Sequence, residues 1–165
     1  MTESQVFNFL NEYGLLFMFI IVFMEYLNLP GFPSGIIMPA VGAWITKTDI
    51  SFLLALGVSV VAGTLGSLIL YYVGKHGGRP LLEKLYNKYP KTSQKLKDIE
   101  KAMINNGYKT VFISKLIPVV RTMVGFPAGV VNMNIFKYIS SSILGIIIWN
   151  AGLMISGVTL GKIVL

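Results

Sequence analysis

SKLIPVVRTMVGFPAG, residues 114–129, is the stretch on which the fold turns. It sets two full positive charges, Lys115 and Arg121, among apolar residues, with two prolines (Pro118, Pro127) and two glycines (Gly125, Gly129). A proline within a helix leaves the carbonyl four residues back without its donor. Here those carbonyls belong to Ser114 and Met123. In an unbroken helix, residues six apart point about 120° from each other. A break at Pro118 instead lets Lys115 and Arg121 face one cavity.

The surroundings are those of a membrane protein. Of the 165 residues, 54% are hydrophobic and 13% are charged, against about 25% charged in a soluble domain. Asp49 and Lys75 bracket 25 uncharged residues, and Lys137 and Lys162 bracket 24. A spanning helix needs about 20. From Tyr13 to Thr46 the only charge is Glu25. Charge within a bilayer costs about 2.5–3.5 kcal/mol per residue on insertion scales, so Glu25, Lys115 and Arg121 are the candidate functional residues. Each has a bland alternative: Lys115 could snorkel toward Lys109, Arg121 less easily, and Glu25 could sit at an interface or be neutral.

Residues 28–44, NLPGFPSGIIMPAVGAW, contain Pro30, Pro33, Pro39, Gly31, Gly35 and Gly42. The prolines free carbonyls on Tyr26, Leu29 and Gly35, which lipid cannot satisfy. The segment therefore reads as a broken, re-entrant hairpin. It follows a helix from about Glu3 to near Asn28, opened by a capping box of Thr2 and Gln5. No basic residue precedes Lys47, so the apolar start lacks the basic region of a signal peptide and is expected to be retained.

GFPSG at 31–35 matches GFPAG at 125–129 in four of five positions. Each copy lies in a Pro/Gly-broken apolar segment ahead of a long clean one (50–74 and 135–161). Such paired broken segments point to an inverted-repeat transporter. The expected hairpin breaks are Pro30, Pro33, Gly35, Pro118, Gly125, Pro127 and Gly129.

Between the halves, residues Lys75 to Lys109 carry nine Lys/Arg and three acids, nearly all of the net charge of +7. Basic loops beside spans stay cytoplasmic. Leu82, Leu85, Tyr86 and Tyr89, then Leu96, Ile99 and Met103, lie at helical spacing. Pro90 separates the runs, Thr92 caps the second and Gly107 stops it. These are expected to be amphipathic helices lying on the membrane surface. Anionic lipid explains their charge better than nucleic acid does; a calmodulin-type target is the weaker alternative.

There is no cysteine and a single histidine, His76. No nucleophile–base pair, no carboxylate cluster at metal spacing and no P-loop is present. Neither an enzyme, a cofactor nor a nucleotide is expected. An arginine fork pairs with phosphate oxygens in two places, and lysine adds a mobile point charge. The partner that fits is a lipid with a phosphate head. An anion channel would also use Arg and Lys, so an ion or small-solute channel or transporter is a second class, and a scaffold that moves nothing is a third.

FMEYLNLPGFPSGIIMPAVGAW, GTLGSLILYYVGKHGGR, VFISKLIPVVRTMVGFPAGVVNMNIFKY and GIIIWN together resemble the motifs of the DedA family (SNARE-associated, or VTT-domain, superfamily). The resemblance spans about residues 10–163. It implies a bacterial inner-membrane protein associated with movement of lipids between leaflets, either phosphatidylethanolamine or undecaprenyl phosphate, under proton motive force. The family's two cations fall on Lys115, usually an arginine, and on Arg121; its first acid falls on Glu25. Its other acids would fall on Gly35 and Ser67, which carry no carboxylate. That tilts the expectation toward a phospholipid over proton-coupled undecaprenyl-phosphate recycling.

The expected fold is an all-α membrane protein, multi-pass, with two re-entrant helical hairpins in inverted-repeat arrangement and cytoplasmic amphipathic helices. It forms a single domain over 1–165: a first half of about 10–75, an amphipathic segment of about 76–107 and a second half of about 108–163. Arg121 and Lys115 are expected to hold the lipid head, with Glu25 pairing with them or carrying a proton. Proton coupling and a homo-oligomer are left open.

Overall fold

The computed structural model describes residues 3–28, 34–88 and 90–164, with the backbone alone for 3–12, 34, 85, 91, 92, 96 and 162–164. Pro30, Pro33, Gly31, Thr2 and Tyr89 lie outside the described residues, as do the side chains of Gln5, Leu85, Thr92 and Leu96. The described chain is all-helical: α1 Glu3–Tyr26, α2 Ser34–Ile45, α3 Phe52–Lys88, α4 Pro90–Lys115, α5 Val120–Met123, α6 Gly125–Val130 and α7 Ile135–Val164.

Local chemistry sets several ends. Ser51 Oγ accepts the Leu54 amide at 3.2 Å and opens α3, an N-cap contact. Asn134 Oδ1 does the same for α7, accepting the amides of Phe136 and Lys137 at 3.0 and 3.2 Å. Asn28 and Asn132 take left-handed conformations (φ 59° and 54°) just after α1 and α6. Beyond α6 the Asn132 amide reaches Gly129 O at 2.9 Å and the Met133 amide reaches Ala128 O at 3.1 Å, the paired bonds of a Schellman ending.

Among the described residues two helices are long and apolar enough to cross a membrane, Phe52–Lys84 and Ile135–Gly161, and only about a third of each apolar window is buried in protein (33% and 28%). Leu53 is 77% exposed and Phe136 78% exposed. A soluble core helix would be covered; these outer faces suit hydrocarbon. The inner faces meet in a core of Met18, Val22 and Tyr26 from α1, Met38 and Val41 from α2, Ala62 from α3, and Ile146 and Met154 from α7.

Glycines set which helices touch. A Cβ on Gly42 would strike Met154 O and one on Gly157 would strike Pro39 O, so α2 lies tight on α7. Likewise Gly74 faces Phe126 O and Gly129 faces Tyr71 O, so α6 lies tight on α3. Small residues permit such approach in membranes. The short apolar helix of each half thus packs on the long helix of the other half.

The basic middle segment differs from its expected form. α3 continues through Arg79 and Pro80 to Lys88, with a kink at Gly78 (φ 58°, ψ −162°). Pro90 opens α4, which runs past Gly107 with its irregular residue at Asn106. Among the described residues, the apolar side chains of these faces pack on protein. Leu82 and Tyr86 pack on Met123 and Phe126, and Met103 packs with Tyr71, Val111, Val124, Ala128 and Tyr138. Burial against protein satisfies an apolar stripe as well as lipid does, and periodicity does not tell the two apart. Arg79 pairs with Glu100, and Tyr86 OH donates to the other Glu100 oxygen at 2.7 Å, tying the end of α3 to α4. Pro39 sits inside α2 without ending it.

Candidate functional site

The break between α4 and α5 builds the site. At Pro118 the helical ladder fails. The Ser114 carbonyl instead accepts the Ile117 amide at 3.2 Å, and the Arg121 amide reaches Ile117 O at 3.0 Å. Val119 is turned to φ 68°, a costly conformation for a β-branched residue. This reversal carries the chain from the last residue of α4 to α5. Lys115 is 0% and Arg121 1% exposed.

Glu25, on the last turn of α1, forms an ion pair with Arg121 Nη2. Tyr26 OH accepts from Arg121 Nη1 at 2.6 Å. The guanidinium carbon lies over two rings, 4.8 Å from the centre of that of Tyr26 and 5.2 Å from that of Trp149. Lys115 Nζ donates to Ser67 Oγ at 2.7 Å and to the Arg121 carbonyl at 3.0 Å. It also lies 5.2 and 5.9 Å from the rings of Tyr26 and Tyr138. Tyr138 OH donates to Ser67 O at 3.2 Å, fixing the stretch of α3 that receives Lys115.

The cluster therefore holds two cations and one carboxylate. Glu25 Oε2 and Trp149 Nε1 are buried without a hydrogen-bond partner. Chemically the arrangement can pair with an anion: it sets a guanidinium fork and a lysine amine beside one carboxylate that occupies part of the fork. Among the described residues no group of three His, Asp or Glu could hold a metal ion. His76 lies elsewhere, exposed, with Nδ1 at 2.9 Å from Tyr72 O.

Of the expected breaks, Pro118 lies in the turn itself. Pro127 lies in the first turn of α6, after the junction at Val124, where a proline needs no donor. Gly125 and Gly129 serve packing: a Cβ on Gly125 would meet Tyr138 OH and Ser67 O. Gly35 is helical in α2 with open space around it. Tyr26, Tyr138 and Trp149 were not among the expected site residues. Their signal is a polar tip in an apolar segment, which needs a partner once buried.

The described residues are all-helical, and two bare apolar helices of spanning length close around a buried charged cluster, which is the build of an integral membrane protein. The chain belongs to the DedA family, for the VTT domain matches residues 32–159. It is 33% identical over 164 residues to undecaprenyl phosphate transporter A of Staphylococcus aureus, covering 96% of this chain and 79% of that one. The protein of the same name in Bacillus subtilis is 32% identical over 131 residues, 79% of this chain and 66% of that one. An alkaline phosphatase-like protein of Lactococcus lactis is 30% identical over 157 residues, 92% and 73% respectively. No solved structure matches.

Proposed function

We propose that the protein moves a lipid phosphate between the leaflets of a bacterial cytoplasmic membrane and that Arg121, Lys115 and Glu25 form its phosphate site. One observation carries this: two buried cations are matched by a single carboxylate. A phosphate oxygen pair fits the guanidinium fork that Glu25 now occupies through one oxygen. The incoming head displaces Glu25, and Lys115 adds charge beside it. When the lipid leaves, Glu25 returns and the buried arginine is again neutralised, as a low-dielectric interior requires.

The names of two relatives favour a polyprenyl phosphate over the phospholipid expected from sequence. A monoester also carries more charge than a phosphodiester, which suits a cation surplus. Gly35 and Ser67 leave Glu25 as the one carboxylate of the cluster available to take a proton. The whole chain acts as one domain. Its basic segment, 75–109, faces the cytoplasm, and its two hairpins are re-entrant and related as an inverted repeat. The crossed packing of α2 on α7 and α6 on α3 supports that relation.

The test is a leaflet-resolved assay in proteoliposomes with a fluorescent polyprenyl phosphate, with and without a pH gradient. Parallel vesicles report ion flux and release of inorganic phosphate. Lipid movement that Arg121→Ala abolishes is expected. Movement unchanged by Arg121→Ala, or phosphate release in its place, overturns the reading.

A further inference from the structure

Two polar atoms beside Arg121 take no part in the contacts of the site. Glu25 meets the guanidinium through Oε1, and its second oxygen, Oε2, is buried with no hydrogen-bond partner among the described residues. Trp149 lies against the same guanidinium, its ring centre 5.2 Å from Cζ, and its Nε1 is buried and equally unpartnered among the described residues. A carboxylate oxygen accepts, and an indole nitrogen can only donate. A buried polar atom left unpaired is costly. An acceptor and a donor in that state, flanking one cation, point to a ligand that supplies a partner to each.

The fold presents Trp149 to this place. By their spacing Tyr138, Gly145 and Trp149 share one face of α7. The Tyr138 ring lies 5.9 Å from Lys115 Nζ, and a Cβ on Gly145 would strike Lys115 Cβ, so this face is the one turned to the cluster. Asn150, the next residue, donates to Ser59 Oγ at 3.1 Å and pins α7 to α3 at the level of the indole. Trp149 is thereby held beside the fork on which a head group arrives.

The two atoms name the head. A tetrahedral phosphate that sets two oxygens on the fork has a third to spare, whereas a carboxylate has none. In a singly protonated monoester that third oxygen is a P–O–H, which accepts one hydrogen bond and donates another. In a diester the remaining oxygens are ester oxygens without a hydrogen. We propose that Trp149 is a ligand of the lipid head and that, with Glu25, it selects a phosphate monoester over a diester: the P–O–H oxygen accepts from Trp149 Nε1, and its hydrogen goes to Glu25 Oε2 once Glu25 has left the fork. This rests on the transport reading above and deepens it to the class of phosphate.

The chain has two tryptophans, so ¹⁵N-indole labelling of the protein in phosphatidylcholine nanodiscs gives two side-chain N–H signals, assigned with Trp44→Phe. Trp44 packs on Gly14 near the middle of α1 and serves as the reference. Farnesyl phosphate is expected to move the Trp149 signal downfield, saturably, and to leave that of Trp44 in place. Affinities are read in parallel with tritiated farnesyl phosphate. Trp149→Phe keeps a ring on Arg121 and loses the N–H; at an unchanged melting temperature it weakens binding about tenfold, as loss of one hydrogen bond to a charged group dictates. At about pH 5.5, below the second phosphate pKa of about 6, farnesyl phosphate and farnesyl methyl phosphate each carry about −1, so charge does not separate them. The monoester is expected to compete about tenfold better, and Glu25→Ala to abolish that preference. A Trp149 signal unmoved at saturation, affinity indifferent to Trp149→Phe, or equal competition by the two esters overturns the proposal and leaves the transport reading standing. A preference that survives Glu25→Ala overturns the selection by Glu25. Inorganic phosphate competing as well as unlabelled farnesyl phosphate assigns the site to the free ion and overturns both readings, as does the absence of saturable farnesyl phosphate binding.

Discussion

The Lys115 ammonium lies 3.0 Å from the backbone carbonyl oxygen of Arg121. One cation thus fixes the main chain of the other and holds the position from which the guanidinium reaches Glu25. Lys115→Met leaves that carbonyl and the Ser67 hydroxyl without their donor. A hydrogen bond to a charged group is worth about 1.5–3 kcal/mol, so the melting temperature in detergent falls by several degrees. Gly145→Ala acts similarly, because its new methyl group would press on Lys115 Cβ and Cγ. A melting temperature unmoved by either change contradicts the positioning role.

The Glu25–Arg121 pair is coupled across the two halves. Glu25→Gln alone and Arg121→Gln alone each leave a buried group uncompensated, at a cost of about 3–5 kcal/mol. The double variant costs less than the sum. Unfolding free energies of the four proteins give the coupling term directly, and strict additivity excludes it.

Gly129→Ala separates α6 from α3, since its methyl group would meet Tyr71 O and the Lys75 amide, both rigid backbone. Overpacking of this kind costs about 1–3 kcal/mol. Gly35→Ala meets open space and leaves stability within about 0.5 kcal/mol. Thermal unfolding of the two variants side by side distinguishes packing from mere glycine content.

Gly78 holds φ 58° with ψ −162°, a combination close to the region reserved for glycine. Gly78→Ala costs about 1–3 kcal/mol and straightens α3. A spin-label distance between positions 65 and 84 is expected to lengthen; an unchanged distance means that the kink is held by other contacts.

Burial, and then the hydrogen bond to Glu100, push the Tyr86 hydroxyl above its ordinary value. The folded state therefore keeps this proton when the unfolded chain has lost it. The stability involved is complete below about pH 10, the ordinary tyrosine value, and is lost as pH rises beyond it. Tyr86→Phe is expected to make the alkaline fall in melting temperature shallower. An identical slope removes Tyr86 from the account.

Much of this is legible in the residues. Uninterrupted apolar runs mark both long helices, and Pro118 marks the reversal that brings Lys115 and Arg121 inward. The partners are less legible. Tyr26 follows Glu25 directly, yet its ring meets both cations only because Gly63 and Gly66 let α3 close on it. Leu82, Tyr86 and Met103 show an apolar stripe, but lipid and protein interior make the same demand on such a stripe. The continuation of α3 past Arg79 is also hidden: Gly78 and Pro80 read as an end, whereas one strained glycine turns the helix and Pro80 sits harmlessly in the turn that follows.

The pairing of Glu25 with Arg121 joins residues 96 positions apart, and this orders events during synthesis. The ribosome delivers Glu25 to the membrane well before it has made Arg121. Until then the nascent first half carries an acid with no counter-charge, so it must stay protonated, stay near water or be shielded by insertion machinery. Release of a finished first half into lipid ahead of its partner is disfavoured. The first half thus meets its counter-charge only once residue 121 has been made.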